Sequence, residues 1–190
     1  EARNILDSMS EENAAKVTNV SVLEAAEAQL KTLAQAQLTS LRTESDPVRG
    51  MSFYYPSVFP YYSTYWGTDI RTFVLPYIGQ DSSSTWMRVV CDYTGDDWIF
   101  FEQLIFAVDD ARYTKTYNYF DVTRDNGGGD VWEYVDFQVT DSDIDMLWEI
   151  ANSTQTIVRF QGDDYHYDLT MSAADKQAIA QMLTIYEALA

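Results

Sequence analysis

The sequence has few of the residues on which disulfide and catalytic chemistry most often depend. Its 190 residues include one cysteine, Cys91, and one histidine, His166. A single cysteine excludes an internal disulfide, and the alternating apolar residues around it predict a small buried side chain rather than a nucleophile. There is no pair of Cys or His residues for zinc, no G-x-S-x-G motif and no glycine-rich phosphate loop. We therefore expect neither a transition-metal enzyme nor a nucleophilic one, and no cofactor.

Basic residues are also scarce. The chain has 12 Lys and Arg against 30 Asp and Glu, which gives a formal net charge of −18. Binding of nucleic acid relies on neutralising phosphates with Lys and Arg, so this balance excludes a nucleic acid partner. The acidic surface is typical of a solubility feature, with cations and basic partners as the alternative. No apolar run is long enough to cross a bilayer, so we expect membrane attachment only through an N-terminal anchor missing from this sequence.

The first 50 residues contain no aromatic side chain, whereas 9 Phe, 14 Tyr and 5 Trp follow. Strong helix formers fill residues 10–41, with a weak point at Thr18-Asn19. The apolar residues of this segment recur at spacings of three and four in one narrow stripe: Leu23, Ala26, Leu30 and Leu33. We predict a long N-terminal helix in an arm or stalk, residues 1–50, that docks partly against an aromatic-rich domain, residues 51–190.

The most apolar run of the chain is WIFFEQLIFAV, residues 98–108. It is rich in aromatic and β-branched residues, and acidic turns bound it on both sides. These features fit a strand covered on both faces better than a helix. We expect the domain to be built around this strand.

Further strands are predicted on both sides of this run, and their connections are short and polar. Short connections favour antiparallel neighbours, because a parallel return needs a long crossover. The five strands predicted in succession are residues 70–78, 86–93, 98–108, 112–120 and 131–139. A glycine-rich tip at residues 125–130 joins the last two. The natural result is an antiparallel meander.

Two helices and a hairpin complete the predicted fold. A capping box of Thr140 with Asp143 begins a helix that ends at Asn152, and a second capping pattern at Ser172 begins the C-terminal helix. Between them, residues 155–161 and 164–169 form a hairpin about a two-residue turn. The fold class that we predict is α+β: an antiparallel β-sheet meander with two helices packed on it, preceded by the long N-terminal helix.

The predicted hairpin register also bears on catalysis. It places Val158 and Phe160 on one face and the sole histidine, His166, opposite Arg159 on the other. A Ser-His-Asp or Cys-His system would have to use His166, and its predicted neighbour is a cation rather than an orienting carboxylate. This register therefore disfavours nucleophilic catalysis.

Residues 53–66, FYYPSVFPYYSTYW, contain an unusual concentration of aromatic side chains. The two prolines of this segment lack the backbone N–H group that would donate a hydrogen bond to a neighbouring strand, so we predict an irregular or edge segment. Aromatic rings on such a segment either pack into the end of the core or form a stacking platform for sugars or peptides. The candidate ligand-binding residues are Tyr54, Tyr55, Tyr61, Tyr62, Tyr65 and Trp66.

Carboxylates provide the remaining candidates. Glu102 and Glu133 lie in strongly aromatic strands, and a glycosidic-bond hydrolase needs such a pair with one pKa raised by apolar surroundings. Around the glycine-rich tip, Asp121, Asp125 and Asp130 are candidate ligands for a loosely held calcium ion. In each case a structural or solvated role is the competing interpretation.

The C-terminal stretch VRFQGDDYHYDLTMSAADKQAIAQMLTIYEAL combines a strand, a tight turn, a strand and a capped helix. In this pattern residues 131–190 resemble the end of uncharacterised secreted or lipid-anchored proteins of bacteria. The N-terminal helix is similar to the stalk that follows the lipidated cysteine in such proteins, although the lipid-acceptor cysteine is absent here. The resemblance implies an extracytoplasmic location, secreted or at the cell surface, and no activity.

Together these features predict a non-enzymatic extracytoplasmic binding or interaction module of a bacterial cell surface. Its partner would be a glycan, peptide or protein recognised through an aromatic surface. The alternatives are a carboxylate-dependent glycan hydrolase and a purely structural surface protein. A cleft that holds both Glu102 and Glu133 would favour the hydrolase.

Overall fold

The computed structural model describes residues 2–60 and 71–190, and in these ranges the chain is mostly β. Over these described residues, ten strands form two antiparallel sheets, accompanied by five α-helices. The predicted α+β fold with a single antiparallel meander is therefore wrong. Many consecutive strands pair as antiparallel neighbours, but the chain changes sheet after the strands that end at Gly95, Thr116 and Gln138, so the strands do not form one continuous meander.

The larger sheet consists of six strands: β1 (Arg42–Asp46), β2 (Met51–Tyr55), β3 (Phe73–Gln80), β4 (Thr85–Gly95), β7 (Thr123–Gly127) and β8 (Asp130–Gln138). Their order across the sheet is β1-β2-β3-β4-β8-β7. The predicted glycine-rich tip is a tight hairpin between β7 and β8. Gly128 and Gly129 form its turn with φ angles of 66° and 103°, which glycine adopts without a steric penalty.

The smaller sheet consists of four strands: β5 (Gln103–Val108), β6 (Ala111–Thr116), β9 (Thr156–Gln161) and β10 (His166–Thr170). Their order is β10-β9-β5-β6, so β5 lies between β9 and β6. β5 does not pair with β4, its predecessor in the chain, because the position beside β4 is occupied by β8. Residues 96–102 carry the chain from one sheet to the other.

The main core contains the apolar side chains of the inner faces of both sheets, together with residues of the helices. β5 alternates, with Leu104, Phe106 and Val108 buried and the residues between them partly exposed. The expectation that the 98–108 strand is covered on both faces is therefore wrong. The strands covered on both faces are β3 and β4, because a second, smaller apolar cluster lies on the outer face of the larger sheet.

The five α-helices are α1 (Ala2–Asp7), α2 (Glu11–Ala14), α3 (Val20–Leu38), α4 (Asp141–Asn152) and α5 (Ala173–Leu189). The predicted long N-terminal helix is wrong, since three separate helices and then strand β1 occupy that part of the chain. The interruption before α3 includes Thr18 and Asn19, and β-branched and short polar residues are poor helix formers. Within the described residues, no helix combines the length and apolarity needed to cross a bilayer.

The apolar stripe predicted for the N-terminal helix is not the face that α3 buries. Leu30 and Leu33 are 56% and 60% exposed, whereas Ala34 and Leu38 are buried in the main core. α3 packs against α5, and this contact selects the buried face. The sequence of α3 offers apolar residues on more than one side, so spacing alone did not identify the correct one.

Both predicted helix caps in the C-terminal half are confirmed. The Thr140 N–H donates to Asp143 Oδ2 at 3.0 Å at the start of α4, and the Asp175 N–H donates to Ser172 Oγ at 3.1 Å at the start of α5. Such bonds satisfy backbone donors that have no partner within the helix. These two helices were predictable because their start signals are local.

The β9–β10 hairpin differs from its predicted register by two residues. Its connection spans residues 162–165, and Arg159 faces Asp168 rather than His166. Because side chains alternate with a period of two, this shift leaves every side chain on its predicted face. Arg159 Nε donates to Asp168 Oδ1 at 2.7 Å, so the arginine has a carboxylate partner across the hairpin.

Truncation from the N-terminus tests whether residues 1–50 and 51–190 are separate units. Deleting residues 1–19 should leave the melting temperature almost unchanged, because α1 and α2 contain no buried residue. Deleting residues 1–42 also removes Ala34 and Leu38, so we expect a cooperative melt at a lower temperature. Circular dichroism melts of both variants would measure this, and loss of the transition in the longer deletion would place the arm within the cooperative unit.

Candidate functional site

A row of aromatic side chains lies on the outer face of the larger sheet. We call Phe53, Tyr55, Tyr77 and Trp86 the outer aromatic surface. Phe53 and Trp86 both pair with Gly79 from opposite sides, which places them on one face of the sheet. Phe53, Tyr55 and Trp86 are partly exposed, whereas Tyr77 is 8% exposed.

The rings of this surface contact one another in sequence across three strands. Tyr55 stacks on Tyr77, with ring centroids 5.2 Å apart and planes 26° apart. Phe53 then meets Tyr77 and Trp86 edge to face, at centroid distances of 6.2 and 6.4 Å. Geometries of this kind are the favoured ones for aromatic pairs, so the row is mutually supported.

Gly79 fixes the position of the Trp86 ring. A Cβ atom at residue 79 would lie 2.3 Å from the indole, so only glycine leaves room for the ring to lie against the strand. One face of the indole therefore rests on the β3 backbone. Because the ring of Trp86 is already held in place, its side chain would lose little conformational entropy when a ligand binds.

Charged groups border the outer aromatic surface. The Tyr77 hydroxyl donates to Asp136 Oδ2 at 2.8 Å, and Arg88 Nε donates to Asp136 Oδ1 at 2.8 Å. At the other end, the Arg42 guanidinium lies 4.6 Å from the centroid of the Tyr55 ring. Apolar rings beside a few fixed polar groups are typical of small-molecule sites.

The two phenols of this surface are neutral in ordinary conditions. Burial, with a smaller effect of Glu44, raises the pKa of Tyr55 to about 12. Burial and the hydrogen bond to Asp136 likewise raise the pKa of Tyr77 well above its usual value. Neutral rings of this kind offer stacking faces without adding further negative charge to an acidic protein.

The structure separates two of the residues predicted to bind a ligand together. Tyr55 belongs to the outer aromatic surface, whereas Tyr54 packs against the main core from the opposite face of β2. The alternation of side chains along a strand explains this division. The other candidates, Tyr61, Tyr62, Tyr65 and Trp66, lie outside the described residues. Residues 53–55, the start of the segment predicted as irregular or edge, instead belong to β2, which lies between β1 and β3.

Two members of the outer aromatic surface, Tyr77 and Trp86, lie outside the aromatic segment predicted to bind a ligand, and Phe53 lies within that segment but was not one of the candidate residues. Tyr77 and Trp86 lie in predicted strands, but nothing local indicates which face of the sheet each occupies. The alternation of side chains along each strand could have identified these residues. It shows which residues share a face with Phe53 and Tyr55 only when the pairing of β3 with β2 is known.

Glu133 is completely buried and fully hydrogen-bonded. Its Oε1 accepts from the N–H groups of Ile99 and Phe100, both at 2.7 Å, and its Oε2 accepts from the Phe101 N–H at 2.9 Å. Arg124 Nε also donates to Oε2, at 3.2 Å. This geometry anchors residues 99–101. Glu102, the other predicted catalytic acid, is partly exposed.

The three aspartates proposed for calcium serve local roles or remain exposed. The Asp121 carboxylate accepts from the Asn118 N–H at 2.9 Å, and Asp125 Oδ1 accepts from the Asn126 N–H at 2.8 Å. Asp130 is exposed. Over residues 2–60 and 71–190, no three His, Cys, Asp or Glu side chains come together in a way that could hold a metal ion.

Cys91 and His166, the two residues that could take part in nucleophilic catalysis, lie in different environments. Cys91 is completely buried, and burial raises the pKa of its thiol. His166 is exposed on β10. A thiol that is protonated and inaccessible is inert, so Cys91 behaves as a small apolar core residue.

Comparison of the chain with known proteins gives no match to a family model, to a curated protein or to a solved structure.

Proposed function

We propose that this protein is a non-enzymatic extracytoplasmic binding module of a bacterial cell surface that recognises a glycan through the outer aromatic surface. The observation that supports this proposal is the continuous row of rings, three of them partly exposed, on a sheet face bordered by fixed charges. The extracytoplasmic location rests on the resemblance of residues 131–190 to secreted or lipid-anchored bacterial proteins.

A glycan suits this surface for two physical reasons. The C–H faces of a sugar ring are apolar and pack against aromatic faces, while its hydroxyl groups need hydrogen-bond partners at the edge. Trp86, held flat by Gly79, supplies such a face, and Arg88 with Asp136 supplies partly exposed donors and acceptors beside it. Rings that are already positioned lose little conformational freedom when a ligand binds.

The hydrolase alternative receives no support from the position of Glu133. A catalytic carboxyl group must reach the glycosidic oxygen or the anomeric carbon of a bound sugar. Both oxygens of Glu133 accept hydrogen bonds from the chain itself, and the side chain has no exposed surface. Binding without hydrolysis is therefore the function that we propose.

Replacing Trp86 by alanine tests this function. The protein would be run by affinity electrophoresis through gels that contain single soluble polysaccharides, and each retarding polysaccharide would be titrated calorimetrically. We expect the Trp86→Ala variant to lose about tenfold or more in affinity, because a central aromatic anchor contributes at least 1.4 kcal/mol in typical interfaces, roughly the value of a factor of ten.

The matched control is Trp148→Ala. Trp148 is also partly exposed, but it lies on α4, where its indole N–H donates to Glu187. Thermal melts of both variants would show that each remains folded. Equal affinity of the two variants for every retarding polysaccharide would contradict the proposal. A Trp86-dependent response to peptides, with none to polysaccharides, would replace the glycan by a peptide.

A further inference from the structure

A second group of exposed aromatic residues lies on another part of the molecule. We call Trp98, Phe100, Tyr119 and Phe120 the Phe100 surface. Phe100, Tyr119 and Phe120 are 46%, 49% and 94% exposed, and Trp98 is partly exposed. Trp98 stacks on Phe100 with centroids 5.8 Å apart, and Tyr119 meets Phe120 edge to face at 5.4 Å. Clustered exposed aromatics are uncommon on proteins that act alone and mark interaction surfaces.

The backbone of Phe100 is strained, and buried groups maintain the strain. Its φ angle is 51°, a left-handed conformation that bulky residues seldom adopt. Glu133, with no exposed surface, binds the N–H groups of residues 99, 100 and 101 and so holds this turn in place. A strained turn that exposes a phenylalanine, instead of burying it, is consistent with a selected functional position.

Arg124 connects the two halves of the Phe100 surface. Its guanidinium carbon lies 5.8 Å from the centroid of the Phe100 ring and 4.3 Å from that of Tyr119. The same guanidinium donates to the Phe101 and Tyr119 carbonyl oxygens, at 3.0 and 2.6 Å, and to Glu133. Its charge is therefore neutralised within the protein, and the exposed part of the surface is aromatic rather than cationic.

Carboxylates lie beside this aromatic surface. Asp96 and Asp97 directly precede Trp98, and Asp163 and Asp164 follow Gly162, a residue so close to the strained turn that a Cβ on it would lie 1.9 Å from the Ile99 carbonyl oxygen. All four aspartates are exposed. In the described part of the chain, none of them forms an ion pair with Lys, Arg or His. Their charge is available to a partner.

We propose that the Phe100 surface docks a cationic segment of another protein, with Lys or Arg side chains over the exposed rings and against the four aspartates. Aromatic faces attract cations, and nearby carboxylates add to that attraction. The net charge of −18 favours a positively charged partner at longer range. This surface is separate from the outer aromatic surface, so the proposal does not depend on glycan binding.

The test is a selection from a phage-displayed library of random peptides on the immobilised full chain and, in parallel, on the Phe120→Ala variant. Phe120 is almost wholly exposed, so this substitution should leave the melting temperature unchanged. We expect peptides that are enriched on the unaltered chain and lost on the variant, and we expect them to carry an excess of Lys and Arg. Their synthetic forms should bind the variant about tenfold more weakly.

A pair of variants separates this docking from general attraction to an acidic protein. The Asp163→Asn, Asp164→Asn variant should weaken the same peptides, and added salt should weaken them further. Tyr165→Ala, the control, removes an exposed ring that follows these aspartates and should have little effect. The proposal is overturned if no enriched peptide depends on Phe120, if the dependent peptides lack positive charge, or if Phe120→Ala abolishes a dimer seen by analytical ultracentrifugation instead.

Discussion

Replacement of Glu133 by alanine is expected to lower the free energy of unfolding by about 3–5 kcal/mol, which is the usual cost of removing one partner of a buried ion pair. The substitution leaves three backbone N–H groups without their acceptor. It also leaves Arg124, whose side chain is 9% exposed, without its carboxylate. Urea denaturation monitored by tryptophan fluorescence would measure the change.

Glu102→Ala is the matched control for this prediction. Glu102 is partly exposed, and within residues 2–60 and 71–190 its side chain accepts no backbone hydrogen bond, so the substitution should change the stability by less than about 1 kcal/mol. The pair of variants also separates two roles for Glu133. If both variants lost little stability and Glu133→Ala also abolished a glycan hydrolysis activity, the structural role of Glu133 would be contradicted. The hydrolase interpretation would then be supported.

The second large effect is expected for Leu183→Ala in α5. Leu183 is completely buried in the main core, together with Ile179 and Met182 of the same helix and Phe160 of β9. Truncation of a buried leucine leaves a cavity as well as losing apolar contact, and we expect it to cost about 2–5 kcal/mol. Differential scanning calorimetry of the variant would report the loss as a lower melting temperature.

His166→Ala provides the comparison on the exposed strand β10. Its side chain is solvent-exposed, so the substitution should change stability by no more than about 0.5 kcal/mol. Equal, small losses for the two variants would mean that α5 does not pack as described. Loss of a measured activity in His166→Ala at full stability would assign the histidine a functional role.

The features that sequence predicted correctly are those set by neighbouring residues. Thr140 with Asp143 and Ser172 with Asp175 begin helices because their side chains bond to backbone groups within one turn. The faces of the β9–β10 hairpin were also predicted, although its register was shifted by two residues. A register error of two residues does not change which face each side chain occupies, because side chains on one face of a strand recur at every second residue.

Part of the candidate site could be predicted in the same way. The concentration of aromatic residues at 53–66 predicted Tyr55 as a ligand-binding candidate, and Tyr55 lies on the outer aromatic surface. Tyr54, its neighbour, lies on the opposite face and packs against the main core. Composition identified an aromatic segment but could not assign a face to each ring.

By itself, the sequence determined the acidic character, the antiparallel direction of neighbouring strands and the C-terminal helix starts. Only the tertiary structure decided which strands are neighbours, because β4 pairs with β8 and β5 with β9 across long stretches of chain. The pairings of β2 and β4 with β3 place Trp86 beside Phe53 over Gly79, and the tertiary structure brings the Glu133 carboxylate within hydrogen-bond distance of the Phe100 N–H. Burial energy is non-directional, so an apolar run reveals that a strand is buried but not which strand covers it.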